Sequence, residues 1–178
     1  MTDATTPTTP TPSTPSTLPL LAEGRFTGRE NFRQQVRDAL LHAAHDGWVH
    51  LILSDTTFDD WPLDELAVVQ ALQNWSRSGR QMTLLAANYD VLVRRHVRFV
   101  NWRIQWSHII DCRRCAHRDV HNVPSAIWSP AWVLRRLDVD NCTGMSGSEP
   151  QRRVQLREDL DMCLRQSTPG FAASILGL

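Results

Sequence analysis

The sequence predicts an α/β layer fold with a mostly parallel central sheet, preceded by an unstructured tail. Short apolar runs, Trp48–Ser54 (WVHLILS) and Met82–Ala87 (MTLLAA), alternate with stretches whose apolar residues recur every three or four positions. Alternating helices and strands are what a helix-covered sheet requires. The chain has 178 residues, 42% hydrophobic and 21% charged. Those values lie near globular averages and suffice for one core.

Residues 1–22 are read as a disordered tail. They are mostly Thr, Pro and Ser, and they hold Pro7, Pro10, Pro12, Pro15 and Pro19. Such a segment cannot bury enough apolar surface to offset its ordering entropy. Residues 23–178 are read as a single α/β domain. Thr27 with Glu30 forms a capping-box pattern, and Phe32, Val36, Ala39, Leu40 and Ala43 follow at helical spacing until Gly47. The first strand, Trp48–Ser54, reads as a buried one. An acidic loop, Asp55–Asp60, comes next. Pro62 suits the first turn of a second helix, which carries Leu63, Leu66, Val69, Ala71, Leu72 and Trp75 and stops at Gly79. Met82–Ala87 is the second strand. Asp90 caps a third helix with Leu92, His96, Phe99, Val100 and Trp106 facing inward, and Ser107–Arg113 is the third strand. A polar loop spans Arg114–Pro124. Ala126–Leu137 contains Pro130 and reads as a hairpin or a broken edge strand, because Pro is confined to sheet edges and bulges. Residues 138–150 read as a loop, and Gln151–Arg165 as a final amphipathic helix. The ending GFAASILGL packs back onto the body.

Composition excludes several function classes. Nineteen Lys plus Arg balance nineteen Asp plus Glu, for a net charge of zero. That rules out a histone-like, charge-driven DNA packer. All the basic residues are Arg. Base composition explains this without function, whereas selection for bidentate anion contacts would need the guanidinium groups to converge. No segment approaches the ~20 apolar residues of a membrane span, and the N-terminus has neither part of a signal peptide. The expected compartment is a reducing cytoplasm, where Cys112, Cys115, Cys142 and Cys163 are thiols or ligands rather than a disulfide framework.

Two segments carry a family resemblance, RRHVRFVNWRIQW (Arg94–Trp106) and LREDLDMCLRQSTPGFAASILGL (Leu156–Leu178). With the order of elements between them, residues 29–178 resemble one half of the phospholipase D superfamily fold. More narrowly, they resemble uncharacterised proteobacterial proteins with a phospholipase-D-like fold. Enzymes of that superfamily carry H-x-K-x(4)-D. This chain has no Lys, and Ile127–Asp138, where the motif should lie, has no His. The resemblance therefore implies the fold without the chemistry.

Three constellations are candidate sites. The first is a basic band, Arg94, Arg95, His96, Arg98, Arg103, Arg113 and Arg114, with Arg118 beyond and Trp102 and Trp106 interleaved. Arg with aromatics is the composition of a phosphate or single-strand nucleic-acid surface. The acidic stretch between Arg37 and Arg77 offers the other reading, in which the opposed charges simply meet. The second is Cys112-x-x-Cys115-x-His117-x(3)-His121, two thiols and two imidazoles that form a chemically sound zinc set. No cofactor is expected; zinc at this set is the alternative, and the ordinary reading is free thiols and surface histidines. The third is Asp55, Asp59 and Asp60, placed where a strand's carboxyl end could hold Mg²⁺. Its ordinary reading is that Asp55 caps a turn and Asp60 caps the second helix. There is no G-x-G-x-x-G, P-loop or G-x-S-x-G.

The expected function is that of a non-catalytic interaction or regulatory module with a phosphate- or nucleic-acid-binding Arg surface. Its partner is a protein or a polyanion. The alternative is a divergent metal-dependent phosphodiesterase or phosphatase, or a zinc-binding protein.

Overall fold

A computed structural model describes residues 18–115 and 123–172. The elements run β1 (Gly24–Thr27), α1 (Arg29–Asp46), β2 (His50–Asp55), α2 (Leu66–Trp75), β3 (Gln81–Ala86), α3 (Asp90–Arg95), α4 (Val97–Gln105), β4 (Ile110–Arg114), β5 (Ser125–Trp128), β6 (Val133–Asp138), β7 (Thr143–Gly147), α5 (Pro150–Arg165) and β8 (Thr168–Pro169).

The eight strands form one sheet in the order β1-β7-β6-β5-β2-β3-β4-β8. Among the described residues only β2–β3 and β3–β4 pair parallel. The other five neighbouring pairs are antiparallel. This corrects the expectation of a mostly parallel sheet. Parallel neighbours need a crossover of a dozen or more residues, whereas antiparallel ones accept a tight turn. The helices α2 and α3–α4 supply such crossovers in the first half. After Arg114 two links are too short for that: Ser129–Trp132 joins β5 to β6, and Val139–Cys142 joins β6 to β7. Pro130 sits in the first of these turns, so the hairpin reading of Ala126–Leu137 holds, but residues 138–150 contain a further strand.

Other boundaries move for local reasons. Thr27 ends β1, and Gly28 (φ 96°) is the residue that caps α1, without a side-chain bond. Gly47 ends α1 in the left-handed conformation (φ 73°), as a C-terminal glycine should. Pro62 precedes α2, whose N-cap is Glu65 and whose C-cap is Ser76, ahead of Gly79. The expected third helix breaks at His96, and the following strand starts at Ile110 rather than Ser107.

Strand alternation gives the sheet two cores. On one face Leu51, Leu53, Met82, Leu84, Ile110, Cys112, Ile127 and Leu134 meet α1, α2 and α4 through Phe32, Val36, Leu40, Leu72, Trp75, Phe99 and Trp102. On the other, Ile52, Leu85, Cys115, Ala126 and Val133 meet α5 through Leu156 and Leu160. The first helices are also tied by charge. Arg37 and Arg33 of α1 both reach Glu65, at 2.7 and 3.1 Å, and the Arg37 bond holds the Glu65 carboxyl below its ordinary pKa.

The chain is held to this fold from Pro19 onward. The Pro19 carbonyl lies 2.7 Å from His42 Nε2. The Ala22 carbonyl accepts bonds from Trp132 Nε1 and Ser146 Oγ, both at 3.0 Å. At the other end Phe171 stacks on Tyr89, with centroids 5.0 Å apart. Residues 173–178, the rest of the expected C-terminal packing, lie outside the described residues.

Candidate functional site

The basic band divides once folded. Arg94, Arg95 and Arg98 occupy the exposed flank of α3 and the first turn of α4, with Val93, Val97 and Ile104 beside them, also exposed. Arg94 Nε donates to its own helix at the Asp90 carbonyl, 3.2 Å away. Arg95 pairs with Asp59. Arg98 Nη1 pairs with Asp64 at 3.1 Å, and the Arg98 N–H donates to the same carboxylate at 2.7 Å. The acidic stretch and the basic band thus meet within one molecule at two points.

Of the remaining members His96 and Arg103 turn inward, Arg113 is half-buried, and Arg114 is exposed. His96 is buried, and its Nε2 bonds the Phe58 carbonyl at 2.9 Å. Burial depresses its pKa, so the ring stays neutral and adds no charge to the surface. Arg103 is 4% exposed, stacks on Phe171 at 4.5 Å and donates to that residue's carbonyl. Arg113 holds the Ser167 hydroxyl and carbonyl at 3.0 and 2.9 Å. Arg114 donates to the Ala87 carbonyl at 3.2 Å. The interleaved aromatics are also withdrawn: Trp102 is buried, and half-buried Trp106 donates to Gln73 at 2.9 Å. Among the described residues, what remains for a ligand is the row Arg94, Arg95 and Arg98, together with exposed Arg114, without stacking platforms.

The acidic cluster becomes an ion-pair network. Asp55, at the carboxyl end of β2, and Arg136, on β6, are both buried and face each other at 3.0 Å. Arg136 also reaches Asp60 at 3.0 Å and Ser125 Oγ at 3.0 Å, and its guanidinium lies 4.3 Å above the Phe32 ring. Asp60 reaches out to Arg29 at 3.0 Å. The second Asp55 oxygen accepts the N–H groups of Thr57 and Phe58 at 3.1 and 2.7 Å. This turn carries Phe58 at φ 62°, a conformation unusual for a bulky side chain and fixed here by the Asp55 bonds. Asp55 is the turn cap the sequence offers, but Asp60 caps no helix. The neighbouring cleft, about 410 Å³ and lined by Thr56, Thr57, Asp59 and Asp140, has its cation already in Arg136.

Arg136 is the residue that sequence reasoning missed. A signal for it exists. Alternation from Trp132 and Leu134 puts Arg136 on the core face, and alternation from Leu51 and Leu53 puts Asp55 there too. Two opposite charges on one buried face call for each other.

The zinc set does not assemble from its described members. Cys112 belongs to the helix-rich core and Cys115 to the α5 core. Three residues along an extended chain reverse the side-chain direction, so C-x-x-C here puts its sulfurs on opposite faces. His117 and His121 lie outside the described residues, as does Arg118. Among the described residues no group of three His, Cys, Asp or Glu is placed to hold a metal. Among them, too, no helix is long and apolar enough to cross a membrane.

No protein-family model and no curated protein matches the chain. Solved structures do match its fold. One is TrmBL2, an archaeal chromatin protein that shows a novel mode of DNA binding. It aligns with a TM-score of 0.60 at 12% identity over 87% of this chain. The chain spans 56% of the length of that structure. At this identity the likeness is one of fold.

Proposed function

We propose that this domain is a non-catalytic interaction or regulatory module of the cytoplasm, phospholipase-D-like in fold, whose α3–α4 flank binds the phosphate backbone of nucleic acid. The observation that carries the reading is the exposed row Arg94, Arg95 and Arg98. The side chains of Arg95 and Arg98 are 66% and 61% exposed, and among the described residues Arg94 has no acidic partner. Exposed ion pairs contribute about 0–1 kcal/mol. Exchanging Asp59 and Asp64 for phosphates therefore costs little. The DNA-binding chromatin protein of similar fold supports the same reading. With Trp102 and Trp106 withdrawn, the interaction is electrostatic and blind to base sequence. A metal-dependent phosphodiesterase built on Asp55 is disfavoured, because a divalent ion would have to displace a buried guanidinium.

Fluorescence anisotropy of labelled random single-stranded and duplex oligonucleotides, titrated at low and moderate salt, tests this. Affinity should fall steeply with salt. Replacing Arg94, Arg95 and Arg98 together by Ala should flatten that dependence, by about one unit of log–log slope for each phosphate that is no longer neutralised. Absence of binding at low salt, or a triple variant that binds like the parent, would overturn it.

A further inference from the structure

Apart from this surface, the α5 side of the sheet holds two of the four cysteines together. Cys115 directly follows β4. Its N–H donates to the Ala86 carbonyl at 2.8 Å, and its side chain is buried against α5. Cys163, in the last turn of α5, is half-buried and packs against the same cluster. Both line one cavity of about 400 Å³ with Pro124, Met162 and the Arg135–Asp159 pair. Cys115 is close enough to add to the upward push of burial on the Cys163 thiol's pKa. The other two cysteines are placed differently. Cys112 lies on the opposite face, and buried Cys142 directs its sulfur to the Val139 carbonyl and Arg136.

We propose that Cys115 and Cys163 are a modification site, a dithiol that closes to an intramolecular disulfide by exchange with a low-molecular-weight disulfide of the glutathione class. Cys163 is the half-buried one, so it is the entry point. Its thiolate attacks one sulfur of the small disulfide, forming a mixed disulfide and expelling one small thiol. Cys115 then gives up its proton to solvent, and its thiolate attacks the Cys163 sulfur and expels the second small thiol. Two protein thiols are oxidised by two electrons, and one small disulfide is reduced to two thiols. Only Leu156 and Leu160 of α5 are buried. Local undocking of the last turn of α5, which has no fully buried residue beyond Leu160, gives Cys115 its access. The product ties the end of β4 covalently to the end of α5. Burial pushes the Cys163 thiol above its ordinary pKa, so the first step quickens as pH rises, by about tenfold per unit below that pKa.

The test incubates the full chain with excess oxidised glutathione at two pH values, blocks remaining thiols and maps the peptides by mass spectrometry. The expected product is a Cys115–Cys163 cross-link, with Cys112 and Cys142 blocked only after denaturation. Cys115→Ser should stop at a glutathione adduct on Cys163, and Cys163→Ser should give neither adduct nor cross-link. The wild-type map does not depend on either variant folding. A chain that stays reduced, a cross-link between any other pair, or an adduct on Cys163 that never closes would each overturn the proposal.

Discussion

Replacing Arg136 by Met removes the centre of a buried network while keeping most of the side chain's apolar length. Arg136 is 2% exposed at its side chain, and its partner Asp55 is 5% exposed. Met cannot bond Asp55, Asp60 or Ser125, so one carboxylate is left charged in the core and a second loses one of its two cations. Breaking a buried pair by removing one partner costs about 3–5 kcal/mol, because an uncompensated charge stays buried. In a domain of this size each kcal/mol lowers Tm by about 2–4 °C, so the midpoint should drop by about 6–20 °C. Urea unfolding followed by fluorescence measures this directly, since the chain has seven Trp. Adding Asp55→Asn to Arg136→Met should recover part of the loss, because the stranded charge is gone. The Asn side chain can still accept the Thr57 and Phe58 N–H bonds that hold the turn. A loss below about 1 kcal/mol for Arg136→Met, or a double variant no better than the single one, would refute this account of the network.

Two further outcomes follow from single sites. His42 has Asp46 Oδ2 at 2.9 Å on Nδ1 and the Pro19 carbonyl at 2.7 Å on Nε2, so both nitrogens face acceptors. Burial opposes its charge, but these acceptors outweigh burial and raise its pKa. A raised pKa means the folded state binds the proton more tightly. This contribution is full below the ordinary value of about 6.5 and is lost as pH rises through the folded value. His42→Gln should flatten Tm against pH across that range, and a His42 ring signal titrating below the ordinary value would contradict the assignment. Gly144, on β7, allows close packing: a Cβ there would collide with the Arg135 carbonyl oxygen and the Phe26 ring. Gly144→Ala should therefore destabilise by about 1–3 kcal/mol in the same urea assay. An unchanged midpoint would mean that the strand yields there.

Much of the first half of the fold is written locally. The apolar runs of β2 and β3 and the helical spacing from Phe32 to Ala43 each follow from a repeat visible within ten residues. Gly47 stops α1 because its own φ permits the turn. The candidate site was legible only as composition. Seven cations in one stretch could be read off, but not that Arg103, Arg113 and Arg114 are spent on the carbonyls of Phe171, Ser167 and Ala87. Those partners lie 68, 54 and 27 residues away along the chain.

By itself, then, the sequence determined α1, β2, α2 and β3, the placement of charge, and the absence of a lysine-dependent catalytic motif. These depend on side-chain period and residue identity, which act over a few positions. Tertiary structure alone decided the antiparallel second half, the meeting of Asp55 with Arg136 across the sheet, and the pairing of Arg95 and Arg98 with Asp59 and Asp64. Strand direction follows from which neighbour a short link can reach. A charge's partner follows from which distant segment the core brings beside it. Both are settled only when the whole chain packs.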